Sequence, residues 1–273
     1  MRAHAQFLRR PVTHEAVVLT PSFGNCPYRR ANEEFVTEWY AQTYGIPSVI
    51  GRDEIGRQYF SRARAINNAA RLALQQHPQR DILIIADNDL IPDASPFQRA
   101  LKLARRAPAI TPHALTLLMS EEGTCKFLET GEPSDYKVTR TGSTSYVIMT
   151  RENFMRVNGM DELFEGWGAE DGAFLLSIER QLGYLIKMYG RRVHLWHPLD
   201  PSRADHENRQ RNRDRRSAYR VSSAGAVRLL AREYGPLNLL GVPLDTETNE
   251  EEERQTWCGN TPLQSRDWPA EHP

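Results

Sequence analysis

Asp81-Ile82-Leu83-Ile84-Ile85-Ala86-Asp87-Asn88-Asp89 decides the architecture of this chain. The apolar run from Ile82 to Ala86 has no polar alternation. It reads as a strand buried on both faces, the pattern of a parallel sheet covered by helices on each side. Upstream, residues 61–76 are rich in good helix formers, with Ala65, Ala69, Leu72 and Ala73 spaced along one stripe. Earlier still, Ala16-Val17-Val18-Leu19-Thr20 is a short apolar run ending at Pro21. A polar loop (22–30), a helical stretch (31–44) and a second short strand, Ser48-Val49-Ile50, follow it. Two successive β-α-β units predict an α/β fold with a doubly wound, mostly parallel central sheet flanked by helices. Ligands bind at the carboxyl ends of the strands in such sheets.

The second half reads as a strand over 144–150, a helix over 151–157, a turn at Asn158-Gly159, a helix over 171–182 and a strand near 184–195. Residues 203–220 are rich in arginine and lack an apolar face until Val221, which fits a mobile segment or an exposed helix. After Tyr234-Gly235-Pro236 the chain turns acidic at 250–253 and then polar and proline-rich. The expected division is a catalytic domain over 1–235 and a poorly ordered tail over 236–273.

With 273 residues, 40% of them hydrophobic, the chain can bury one large core. Its 35 basic and 35 acidic residues cancel, so no whole-molecule field draws it to nucleic acid or an anionic membrane. No apolar run approaches the roughly 20 residues of a membrane span, and residues 1–10 lack the apolar stretch of a signal peptide, so a soluble, cytoplasmic protein is expected. Cys26, Cys125 and Cys258 are odd in number and far apart, and are expected to be free thiols.

Three constellations carry chemistry. Asp87-Asn88-Asp89, a DXD motif, leaves the decisive strand at its carboxyl end and brings two carboxylates to the ligand edge. Hard oxygen ligands suit Mg²⁺ or Mn²⁺, and a divalent ion on a diphosphate neutralises the charge that develops as a nucleotide leaves. A polar turn capping the strand accounts for the same residues. Phe164-Glu165-Gly166-Trp167-Gly168-Ala169-Glu170-Asp171-Gly172 joins flexible glycines, an aromatic face for a sugar and two adjacent acids. The plainer reading makes Glu170 and Asp171 first-turn acids of a helix and Trp167 a core residue. His194-Leu195-Trp196-His197 offers two imidazoles three apart, and a nitrogen ligand beside Asp89 favours Mn²⁺ over Mg²⁺.

Taken in order, these segments resemble the β-1,4-galactosyltransferase-like family of GT-A glycosyltransferases, which includes bacterial chondroitin-type polymerases. Phe60-Ser61-Arg62-Ala63 is similar to the family's Phe-Asn-Arg-Ala segment, and Asp87-Asn88-Asp89-Leu90-Ile91-Pro92 to its Asp-Val-Asp-Leu-Ile-Pro strand end. Gly142-Ser143-Thr144-Ser145, Asn158-Gly159 and the stretch ending Glu170-Asp171 resemble three further elements, and His197 falls where the family has a metal histidine.

The resemblance implies a GT-A fold and a soluble bacterial or phage-type enzyme. That enzyme would transfer a hexose or N-acetylhexosamine from a UDP-sugar to a hydroxyl acceptor with inversion. Asp171 would be the general base. Pro21, Arg62, Asp87, Asp89 and Trp167 would hold the donor. Gly142, Ser143, Trp167 and Glu170 would hold the acceptor, and Asp89, His197 and His194 the metal. Arg203 and Arg209 would belong to a closing lid. The chain departs from the family pattern where Arg140 and Thr141 stand in place of aromatic residues and His194 in place of a methionine ligand. The acceptor stays open among glycan, protein and modified nucleic acid, as does the oligomeric state. Two other readings stand beside this one: a sugar nucleotidyltransferase, and a nucleic-acid-associated protein using residues 203–220.

Overall fold

The structure, a computed structural model, describes residues 12–24, 26–53, 58–140 and 145–230. Gly142, Ser143 and the tail over 236–273 lie outside the described residues. The first half runs β1 (Ala16–Pro21), α1 (Pro27–Tyr44), β2 (Ser48–Gly51), α2 (Arg62–Gln76), β3 (Ile82–Ala86), β4 (Leu90–Pro92) and α3 (Ala94–Leu103). It continues with β5 (Ile110–Thr111), β6 (Leu115–Met119), α4 (Glu121–Thr130), β7 (Tyr136–Arg140), β8 (Tyr146–Thr150) and α5 (Arg151–Arg156). Last come α6 (Glu170–Gln181), β9 (Ile186–Lys187), β10 (Arg191–His194), α7 (His206–Val221) and α8 (Ala224–Leu230).

The main sheet has the order β2-β1-β3-β8-β5-β9, and β8 is its antiparallel member. Alternate residues of each central strand go to opposite faces. Val18, Ile84 and Ile148 pack with Phe35, Trp39 and Tyr40 of α1 and Phe97 of α3. On the other side, Leu19, Ile85 and Val147 pack with Ala63, Ile66 and Ala69 of α2, Phe154 of α5 and Phe174 of α6. Burial on both faces is why these strands are continuous apolar runs. The result is the mixed α/β architecture, a mostly parallel sheet flanked by helices, expected from the sequence. The alanines of α2 let it lie close to β2: a Cβ on Gly51 would stand 1.9 Å from the Ala65 carbonyl oxygen, so no larger residue fits there.

A second sheet, β4-β10-β6-β7, carries the edge that matters for chemistry. The single strand expected near 184–195 is in fact two, β9 in the main sheet and β10 in the second. Gly190 makes the break: a Cβ there would meet the Pro112 carbonyl oxygen at 2.3 Å, so the chain changes sheets where only glycine fits. The expectation of free thiols holds for Cys26, but Cys125 is disulfide-bonded. Cysteines distant in sequence pair through tertiary geometry, which spacing does not reveal.

The Arg-rich stretch is a helix, α7, whose buried stripe is polar. Asn208 and Asn212 both donate to the Glu165 carbonyl at 2.9 Å. Arg215 Nε pairs with Asp161 at 2.6 Å, and the Tyr219 hydroxyl donates to the same carboxylate at 2.7 Å. Hydrogen bonds to loop backbone thus replace the apolar face the sequence lacks, and they fix the loop that carries Gly166, Trp167 and Gly168. Among the described residues no helix is long and apolar enough to cross a membrane.

Candidate active site

Two clusters meet where β3 and β10 end and β4 begins. The Asp87-Asn88-Asp89 turn joins β3 to β4, and β4 pairs with β10 so that Leu90 lies opposite His194. The Leu195 amide donates to the Asp89 carbonyl at 2.9 Å, which brings Asp89 beside both imidazoles. His197 Nε2 is 3.1 Å from Asp89 Oδ2, and His194 Nε2 is 3.9 Å from Oδ1. One ligand atom from each of the three residues lies within 4.8 Å of the others. Asp89 is 3% exposed, and its Oδ1 is buried without a hydrogen bond. A buried carboxylate with one oxygen facing each of two imidazole nitrogens is a donor set suited to a divalent ion of Mn²⁺ type. His197 Nδ1 lies 2.8 Å from the Pro198 carbonyl; donating there leaves Nε2 as the ligand atom. Burial opposes ionisation of Asp89, yet His194, His197 and Arg29 outweigh it and hold the carboxyl below its ordinary range. Burial pushes His194 down, so its ring is the neutral form a metal requires.

The second cluster centres on Arg62, the first residue of α2, placed by the Ser61 N-cap. Ser61 Oγ accepts from the Arg64 amide and donates to the Phe164 carbonyl at 2.8 Å, which docks the Trp167 loop on this helix end. Arg62 Nε pairs with Asp87 Oδ1 at 2.5 Å and NH1 with Asp171 Oδ1 at 2.9 Å. Gly166, with φ +65°, lets the loop turn against α7, where a Cβ would stand 2.4 Å from Asn208 Nδ2. Glu170 and Asp171 then open α6, where the helix dipole favours acids. Burial pushes Asp87 up to about 6 despite Arg62. It pushes Glu170 up to about 7, with Asp171 adding to the shift, and Glu170 Oε2 is buried without a hydrogen bond.

A raised carboxyl favours the folded state while protonated. The stability contributed by Glu170 is therefore complete below its unfolded value and is lost as pH climbs towards 7. Glu170→Gln is expected to match the unmodified protein in urea unfolding at pH 5 and to exceed it at pH 8 by on the order of 2 kcal/mol. A difference that does not change with pH would contradict the assignment.

The predicted residues divide clearly. Arg62, Asp87, Asp89, Glu170, Asp171, His194 and His197 converge on the two clusters. Pro21 ends β1 opposite Gly51 on the same sheet edge. Trp167 is 43% exposed, so it is not a core residue, and the Arg203 guanidinium sits over its ring at 4.5 Å. Arg209 bonds instead to His206 on its own helix, at 2.7 Å. Sequence reading missed Arg29, which stacks on Phe23 and acts on both Asp89 and His197. Its signal is a cation following the carboxyl end of the first strand. Sequence reading also missed Thr124 and Asn32, which hold the backbone of Trp196, the residue before His197, at 2.8 and 3.0 Å.

Residues 124–197 match the family model described as the N-terminal domain of galactosyltransferase. Over that segment the chain is similar to galactosyltransferases. The segment contains Trp167, Glu170, Asp171, His194 and His197; Arg62 and Asp87-Asn88-Asp89 lie before it. No curated protein matches the sequence. The catalytic domain of Drosophila β1,4-galactosyltransferase 7 in complex with xylobiose matches with 19% identity over 64% of this chain and 66% of that chain, at a TM-score of 0.39. A mutant of the same Drosophila enzyme with manganese, UDP-Gal and xylobiose matches with 18% identity over 63% and 64%, at 0.38. GalNAc-T7 with UDP, GalNAc and Mn²⁺ matches with 13% identity over 74% and 41%, at 0.45. The chain thus spans just under two thirds of the Drosophila chains.

Proposed function

We propose that the chain is a metal-dependent glycosyltransferase of the GT-A type that moves a hexose or N-acetylhexosamine from a UDP-sugar to a hydroxyl acceptor with inversion. Its catalytic unit lies within residues 1–235. The observation that carries this reading is the meeting of two unlike clusters on one edge: a metal-ligand trio, Asp89, His194 and His197, beside Arg62, Asp87, Glu170 and Asp171. When bound, Mn²⁺ supplies the positive charge that stabilises the departing nucleoside diphosphate.

The remaining steps belong to the protein's own residues. Asp89, His194 and His197 hold the cation, and Asp87, fixed by Arg62, faces the donor's ribose or sugar. Trp167 offers an exposed ring to the sugar, and Arg203 above it covers the diphosphate on closure, with Arg209 following on α7. Glu170, whose carboxyl is pushed up to about 7 by burial, orients the acceptor by donating a hydrogen bond in its protonated form. Asp171 takes the hydroxyl proton as the acceptor oxygen bonds to the anomeric carbon. The bond from that carbon to the diphosphate breaks on the opposite side, and its electron pair leaves with the nucleotide. Gly142 and Ser143, just before β8, complete the acceptor side in this reading.

A panel of nucleotide sugars screened by thermal shift with and without Mn²⁺ tests the proposal without knowledge of the acceptor. Stabilisation by one UDP-sugar only in the presence of Mn²⁺ is the expected result. A protein that no nucleotide sugar stabilises would refute it.

A further inference from the structure

Arg192 lies on β10 two residues before His194 and is 6% exposed. Its Nε donates to Thr116 Oγ1 at 2.9 Å and its NH1 to Ser145 Oγ at 2.8 Å, both neutral hydroxyls. Among the described residues it forms no salt bridge to a carboxylate. Burying an unpaired cation is strongly unfavourable, and a neutral amide would bridge two hydroxyls without that penalty. The charge itself therefore needs an explanation. Burial weighs against the Arg192 cation most, and Asp87, Asp171 and Asp89, none of them in contact, favour it. Among the described residues, Asp87 and Asp171 pair directly with the Arg62 guanidinium and not with that of Arg192.

Resting on the proposed metal-dependent function, we infer that Arg192 is a positioning residue whose buried, uncompensated charge sets the balance of the site, weakening its grip on the divalent cation and strengthening its grip on the anionic donor. A buried cation near the carboxylates opposes a second cation and favours a diphosphate, in proportion to charge and inverse distance. A strut acting only through its hydrogen bonds to β6 and to the residue before β8 does neither. It holds the geometry, and its loss harms both kinds of binding alike.

Calorimetric titration of Mn²⁺ alone, then of UDP at saturating Mn²⁺, separates the two. Arg192→Gln keeps an N–H donor without the charge. It is expected to bind Mn²⁺ about tenfold tighter and UDP about tenfold weaker. Arg192→Lys keeps the charge and gives up the forked hydrogen bonding, and it is expected to stay within about twofold of the unmodified protein for both. Opposite shifts in the glutamine variant support the inference; weakening of both ligands, or no change in either, overturns it. Should the glutamine variant not fold, the lysine variant decides: retained affinities support a charge role, and loss of both overturns it. An unmodified protein that is folded yet binds no Mn²⁺ would remove the proposed metal site and this inference with it. Metal binding with the wrong Arg192 pattern would remove the inference alone.

Discussion

Asp89→Ala is expected to abolish Mn²⁺-dependent stabilisation by a UDP-sugar, with Mn²⁺ affinity falling at least about 100-fold. Asp89 would supply the anionic ligand of the trio, and its removal leaves two imidazoles 5.3 Å apart between ring centres with no carboxylate between them. The same carboxylate raises the proton affinity of His197, which burial would otherwise lower. The variant's imidazoles are therefore more readily neutral, so loss of binding cannot be assigned to protonated histidines. Circular dichroism establishes that the variant is folded, and Asp89→Asn, which keeps shape and one oxygen without charge, is expected to fall between the two. Metal-dependent stabilisation that survives in the folded alanine variant would place the metal elsewhere.

Asp171→Asn is expected to keep donor and metal binding while transfer falls about 10²- to 10⁴-fold, the range over which a positioned general base contributes. Asparagine can still accept from Arg62 NH1 through its carbonyl oxygen, so the fork that also holds Asp87 survives. What it lacks is a site for the acceptor's proton. Because Asp171 is one of the charges that raise Glu170, the substitution is also expected to bring Glu170 back towards its ordinary range. Because Glu170 acts in its protonated form, transfer measured across pH shows this as a move of the residual alkaline limb to lower pH. Transfer at the unmodified rate would sink the role of Asp171 as base.

Much of this was legible in the sequence, for a physical reason that can be traced residue by residue. The run at Ile82–Ala86 cannot be stable unless both faces are covered, so it announced helices on either side of the sheet. Asp87 and Asp89 follow that strand directly, so their place at the ligand edge came from covalent connection alone. The acids that open α6 were equally readable, since Asp and Glu are favoured in the first turn of a helix. Short elements fared worse. Residues 94–140 hold α3, β5, β6, α4 and β7, where two to ten residues carry too few periods to separate helix from strand, and β7 is exposed throughout.

By itself the sequence determined the α/β class, the order of the early strands and helices, and the carboxylates and histidines of the two clusters, but not Arg29 or Arg192. Tertiary structure alone decided how they act on one another. Arg62 and Asp171 are 109 residues apart and form an ion pair, and Asp89 meets two histidines more than 100 positions away. It also decided that Trp167 stays at the surface under Arg203, that Cys125 is bonded, and that Arg192 is buried with no carboxylate partner among the described residues. Periodicity reports which face of its own element a residue occupies. Charge balance, desolvation and ligand geometry depend on what other elements bring to that face, and only the folded chain supplies it.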